Sequence, residues 1–331
     1  MPLEPDRYVH MPLAELVRDL KSADPRDVPL PRPRIVELHG PGLRAEDQTE
    51  SRAVRGDNVT TLVNDTRLPD AHPDIEIPGV VLEHFLGGGA QGWVYAGRVR
   101  ATNKIVAVKI LGRARDEALA WGAREALLCA RVRHRNVLRV LRAQPVGAFW
   151  VVLMELVQGE ELRRGTLSGA EARACFGALA DALLALASSR LVHRDIKPAN
   201  IILRRPDRSP VLIDFGLAVD LGEQGQHPAE LSGTPFYMAP EAWRDAPPDP
   251  AWDAYALGVT AAVVLVGPPA LGRDLPTLRR AKLSGDFERL LRRGLDQVMD
   301  AQMREWVARL IAPVPAERHK ALDEARAWVA A

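Results

Sequence analysis

The apolar pattern of this 331-residue chain changes its period once, and that change limits what the chain can fold into. Residues 80–86, 93–99, 104–111, 137–141 and 149–156 are short runs rich in β-branched and aromatic side chains, the signature of strands. Residues 117–132 interrupt them with helical spacing, carried by Ala118, Trp121, Ala126, Leu128 and Cys129. Beyond Gly159 the spacing is helical over 169–188, 253–266, 275–291, 299–310 and 321–330. Strands followed by helices, with no internal repeat, predict an α+β protein of two lobes. The expected lobes are a small β-rich one at 79–156 and a larger helical one at 157–331.

Residues 1–78 have a different texture. Prolines cluster in PRDVPLPRPR and again at Pro69, Pro73 and Pro78, so this extension is expected to be largely extended and flexible. Leu13, Leu16, Val17 and Leu20 give residues 11–21 the spacing of one marginal helix. Thr60, Thr61 and Thr66 form a threonine-rich patch. It is either an inert linker or, once phosphorylated, a ligand for a phosphothreonine-reading partner. A formal net charge of +1 points to neither nucleic acid nor an anionic membrane. The longest apolar run, 254–265, is too short for a bilayer, which needs about 20 residues, and suits a buried helix. Cys129 and Cys175 read as reduced core thiols. A soluble, cytoplasmic protein is expected.

Gly87-x-Gly89-x-x-Gly92-x-Val94 lies between two strand-like runs. A dinucleotide site would need a strand-to-helix passage here; strand-to-strand glycines fit a lid whose backbone amides approach phosphates. Lys109 follows in Ala107-Val108-Lys109, sharing a face with Ala107 and Leu111. A lysine there is either a solvated edge residue or an ammonium held beneath the lid. The second reading needs an orienting carboxylate, with Glu125 the candidate and Glu117 the runner-up. Further on, His193 to Asn200 packs a carboxylate, an amine and a carboxamide between apolar runs at 183–186 and 201–203. A polar loop held by two buried elements positions side chains well for catalysis.

Together with Asp214-Phe215-Gly216 and Ala239-Pro240-Glu241, these motifs stand in an order that resembles the eukaryotic-like Ser/Thr protein kinases, of a bacterial type. The resemblance covers about residues 80–331 and implies a bilobal kinase fold using ATP and Mg²⁺, with Mn²⁺ as an alternative ion. It makes Lys109 the holder of the α- and β-phosphates, paired with Glu125. Asp195 would orient the substrate hydroxyl, Lys197 would stabilise the transferring phosphoryl group, and Asn200 and Asp214 would hold the metal. The implied nucleotide pocket comprises Leu86, Gly87, Gly88, Gly89, Ala90, Gln91, Gly92, Val94, Ala107 and Lys109 from the small lobe. Glu155 and Val157 would form its hinge with Met154 as the gatekeeper behind it, Glu161 would contact the ribose or a substrate arginine, and Ile202 would also line the pocket. Thr234 would bridge Asp195 and Lys197, Glu241 would pair with Arg318, and Asp253 would anchor the catalytic loop. Cys129 and Val140, with His193 and Phe215, would stack between the lobes. Protein substrates and autophosphorylation are expected.

In family members with an arginine at the position of Arg194, a phosphate on the activation segment usually neutralises it. Residues 217–231 contain no Ser, Thr or Tyr. Glu230 (or Glu223) is therefore expected to supply a permanent charge, with Ser232 as a rival phosphosite and a merely solvated Glu230 as the third option. A nucleotide-binding scaffold without activity and a small-molecule phosphotransferase of related fold are the competing functions. The first would fit a missing catalytic group, and none is missing. The second would fit the absence of the segment from Thr234 to Glu241, which is present.

Overall fold

The computed structural model describes residues 75–89, 92–111, 116–147, 149–222, 233–271, 274–298 and 300–328, with 116–123 described as backbone only. The helix expected at 11–21, the threonine patch, Ala90, Gln91, Glu223, Glu230 and Ser232 lie outside these residues, and so does the side chain of Glu117.

Five antiparallel strands form the first sheet: β1 (Val80–Gly89), β2 (Gly92–Val99), β3 (Ile105–Leu111), β4 (Val140–Val146) and β5 (Phe149–Glu155), in the order β1-β2-β3-β5-β4. Alternation sorts their side chains. Val106, Val108 and Ile110 join Tyr95, Val151 and Leu153 in a core on one face. Leu111, Ala143, Trp150 and Val152 face the other way, toward helix α1 (Asp116–Arg131). Ile77, ahead of β1, is already buried in the first of these cores, so sheet packing begins just before Gly79.

The fourth strand is displaced from the 137–141 expected for it. Val137 and Leu138 are spent elsewhere: Val137 bridges Leu212, and the Leu138 amide donates to the Leu212 carbonyl at 2.9 Å. Asn136 seals the same crossing, its Nδ2 donating to Pro210 O at 2.6 Å.

The second lobe is built around helix α2 (Gly169–Ser188) and helix α3 (Pro250–Val266). A reciprocal capping box starts α2, with Ser168 and Glu171 each taking the other's backbone amide. Asp249 caps α3, and Pro250 occupies its first turn. Residues 254–262 of α3 are all buried, so the apolar run is the lobe's central helix. Burying each large apolar side chain contributes about 1.5–3 kcal/mol.

Around these pack α4 (Leu275–Ser284), α5 (Asp286–Leu295), α6 (Ala301–Leu310) and α7 (Pro315–Ala325), followed by a single 3-10 turn at Arg326–Trp328. The helix expected over 275–291 is thus two helices, split where Gly285 takes a left-handed φ of 78°. The last expected helix, 321–330, begins earlier because Pro315 opens it. Between the lobes lie the short strands β6 (Gly159–Glu161), β8 (Ile201–Arg204) and β9 (Pro210–Leu212), which form one sheet. A second small sheet joins β7 (Leu191–Val192) to β10 (Val219–Asp220).

Candidate active site

The loop after β7 is fixed from below by α3. Asp253, in the first turn of that helix, accepts the amides of His193 at 2.7 Å and Arg194 at 2.9 Å. Burial pushes the Asp253 carboxyl up to about 7, against the pull of these two amides. The His193 ring is wholly buried, which drives its pKa down to about 4 and keeps it neutral. Its Nε2–H then donates to the Ile213 carbonyl at 3.2 Å, and Nδ1 accepts the Asp195 amide at 3.3 Å. The ring also meets Phe215 edge-on at 4.7 Å. Cys129 and Val140 join Phe215 in the core that links the lobes, and the Cys129 thiol donates to Leu138 O at 3.1 Å.

Arg194 and Asp214 both adopt left-handed backbone, with φ of 69° and 65°. Such conformations cost about 1–3 kcal/mol each and are held by their surroundings. Around Arg194 those surroundings are the Asp253 carboxylate; around Asp214, the Gly216 amide donates to its Oδ1 at 3.3 Å.

At the loop's centre, Lys197 Nζ donates to Asp195 Oδ2 at 2.7 Å and to the Thr234 hydroxyl at 2.9 Å. That hydroxyl in turn donates to Asp195 Oδ1 at 2.7 Å. Asn200 Nδ2 donates to both the carbonyl and Oδ2 of Asp195, at 2.8 and 2.9 Å. Burial raises the Asp195 carboxyl, but the hydrogen bonds from Lys197 and Thr234 bring it below the usual carboxylate range. The group is therefore an ionised acceptor and a weak base.

Across the cleft, β3 presents Lys109 toward α1. Its Nζ lies 2.7 and 2.9 Å from the two oxygens of Glu125, and 4.0 Å from Asp214 Oδ1. Glu125 is the partner, and burial raises its carboxyl against the pull of Lys109. Asn200 and Asp214 arrive at one end of the β8–β9 sheet, because Ile201 pairs with Leu212 and the Ile213 amide donates to Asn200 O at 2.9 Å. Among the described residues no three His, Cys, Asp or Glu side chains gather as a metal cage. Two oxygen-bearing side chains beside a lysine fit a hard divalent ion whose other ligands are phosphates and water.

The glycine motif spans the β1–β2 hairpin. Gly87 pairs with Val94, Gly88 lies opposite Trp93, and Gly89 opposite Gly92; Leu86 sits at an irregularity in the pairing. Gly92 has φ 126°, and a Cβ there would lie 2.2 Å from the Ile110 carbonyl, so no other residue fits the hairpin as built. Ala107 is paired with Met154 in the middle of the sheet, and both are buried. Glu155 ends β5, its carboxylate accepting the Arg139 amide at 3.0 Å and Arg204 at 3.2 Å; Val157 follows on the crossing to β6. Glu161 lies opposite Ile202 in the β6–β8 pair, 3.3 Å from Arg163.

The segment bearing Thr234 is braced separately. A Cβ on Gly233, whose φ is 135°, would lie 2.9 Å from the Arg194 carbonyl, so this backbone passes close over the catalytic loop. Phe236 packs edge-on against Tyr237 and Phe287. Glu241 is gripped by Arg318, which is wholly buried and also donates to the carbonyls of Ala312, Ala251 and Pro313. Behind it lies a buried cluster that sequence reasoning missed, in which Lys282 Nζ lies 3.0 Å from Tyr255 Oη and 3.7 Å from the Phe287 ring centre. Tyr255 donates to Glu288 there. Lys282 and Glu288 sit in amphipathic helices where exposure is the ordinary expectation, so no pattern marked them.

A hinged cleft with a glycine hairpin above and a caged carboxylate below belongs to the class of nucleotide-using phosphotransferases. The family described as "Protein kinase domain" matches residues 80–321, and the chain belongs to it. It is 33% identical to a serine/threonine-protein kinase, PkaA, of Streptomyces coelicolor, over 58% of this chain and 39% of that protein. Serine/threonine-protein kinase PknJ of Mycobacterium tuberculosis is 34% identical over 57% of this chain and 34% of its own length. Serine/threonine-protein kinase PAK 4 of Mus musculus is 28% identical over 74% and 42%. The chain thus spans less than half the length of these relatives. The family uses ATP with a divalent cation and acts on proteins. No described helix is long and apolar enough to cross a membrane.

Proposed function

We propose that the chain transfers the γ-phosphoryl group of ATP to Ser and Thr hydroxyls of proteins, its own included, with Mg²⁺ as the ion. The observation that carries this reading is the Thr234 hydroxyl, shared between Asp195 at 2.7 Å and Lys197 at 2.9 Å. It ties the segment over which a peptide would lie to the carboxylate that would receive the substrate hydroxyl. A loose, metaphosphate-like transfer needs alignment and cations more than a strong base, which suits an Asp195 held ionised. Lys109, oriented by Glu125, would hold phosphate oxygens, and Lys197 would meet charge developing on the transferred group. Asn200 and Asp214 would hold the ion, which supplies further positive charge against the phosphates.

Regulation through Arg194, with Glu230 as a built-in charge or Ser232 as a phosphosite, and a phosphothreonine-reading partner for the extension remain parts of this proposal. So does a cytoplasmic location. The test is incubation with γ-labelled ATP, Mg²⁺ and a generic basic protein, followed by acid hydrolysis. Label on phosphoserine and phosphothreonine is expected; label on phosphotyrosine alone, or ATP hydrolysis with no labelled protein, would overturn the reading.

A further inference from the structure

Helix α1 is held at two points by opposite lobes. Glu125, in its middle, meets Lys109 of the sheet. Arg131, its last residue, reaches the helical lobe: one guanidinium nitrogen donates to Asp220, and Nη2 donates to the Ser189 carbonyl at 2.9 Å. Six residues of helix separate the two points, about 9 Å along the axis.

Asp220 is itself rigidly placed. It ends β10, opposite Leu191 of β7, the strand that runs directly into His193. Its Oδ1 accepts the Gly222 amide at 2.8 Å, and the Leu221 amide donates to Arg190 O at 2.8 Å. Burial raises its carboxyl, and the hydrogen bonds from Arg131 and Gly222 bring it below the usual range, so it stays charged. Arg124, beside Glu125 and two helical turns from Arg131, acts electrostatically on both Asp220 and Arg194. The acid that faces α1 is thus six residues past Asp214, ahead of any hydroxyl in the activation segment, since 217–231 has none.

We propose that Arg131 and Asp220 are positioning residues that hold α1, and through it Glu125 against Lys109, by a charge encoded in the chain rather than added by phosphorylation. The inference rests on the kinase reading above.

The test measures steady-state transfer and backbone hydrogen exchange for the full chain and its variants. Asp220→Asn should lower kcat at least tenfold, leave KM for the protein substrate within about twofold, and speed exchange in α1. Asp220→Glu should keep most of the activity. The exchange of charges, Arg131→Asp with Asp220→Arg, should recover at least threefold over either single change, which a purely structural loss would not do. Wild-type activity should survive phosphatase treatment. Full activity in Asp220→Asn, no recovery in the exchanged pair, or activity lost to phosphatase would each overturn the proposal. If the wild type transfers no phosphate, the function reading fails, and exchange in α1 alone decides the clamp: unchanged exchange in Asp220→Asn rejects it.

Discussion

The hydroxyl of Thr234 donates to Asp195 Oδ1 at 2.7 Å while the second oxygen of that carboxylate is held by Lys197 and Asn200. Lys197 and Asn200 belong to the loop that carries Asp195, whereas Thr234 lies 39 residues away on a separate segment. The geometry of one carboxylate therefore reports whether the catalytic loop and the segment at Gly233 are correctly docked.

Replacing Thr234 by Val removes one of these donors without changing side-chain shape. It leaves part of a buried charge unsatisfied, a cost of about 1–3 kcal/mol. We expect kcat to fall about tenfold or more, with ATP affinity nearly unchanged, while Thr234→Ser retains activity. Parallel kinetics on the three proteins check this, and equal kcat for Val and Thr would remove the bridge from the account.

His193 makes a pH prediction. Its folded pKa of about 4 lies below the ordinary value of 6.5, so between these values the unfolded chain binds the extra proton. Its contribution is present in full above pH 6.5 and is lost as pH falls toward 4, about 3 kcal/mol in all at 1.36 kcal/mol per unit. Asp253, raised to about 7, works in the opposite sense over much of this window. The readout is therefore the stability difference between wild type and His193→Phe, which keeps a ring against Phe215. That difference should shift against the wild type as pH falls from 6.5 to 4; a pH-independent difference would show the ring to be charged or exposed.

Arg318 is wholly buried and satisfies Glu241 and three carbonyls. Truncating it to Met strands those acceptors, and breaking a buried pair in this way costs about 3–5 kcal/mol. Urea unfolding should show the loss, with peptide phosphorylation falling alongside it because the Phe236 segment leans on the same region. An unchanged midpoint would mean that the pair is idle.

What could be read from the sequence follows from how far apart the partners lie. Asp195, Lys197 and Asn200 fall within one turn of loop, and the 169–188 helix carries its own cap signals in Ser168 and Glu171, so both were legible. Residues 137–141 misled because Val137 and Leu138 have a strand's composition but bond to Leu212 of β9, between the lobes. Residues 275–291 carry continuous helical spacing, and only the left-handed turn at Gly285 divides them. Arg131 and Asp220 are 89 positions apart, and neither belongs to a motif, so nothing local announces the pair. The family resemblance reached Glu241 and Arg318, 77 apart, because each carries its own family position.

Asp195 is the residue that would orient a hydroxyl for transfer, and comparing wild type with Asp195→Asn tests that role. Both would be given γ-labelled ATP, Mg²⁺ and a protein substrate, with fluorescent-nucleotide binding measured beside the transfer rate. In Asp195→Asn, kcat should fall by about 10²–10⁴, the range for a positioned proton acceptor, with nucleotide affinity within about threefold of wild type. Equal transfer rates in the two proteins would show that Asp195 does not orient the hydroxyl.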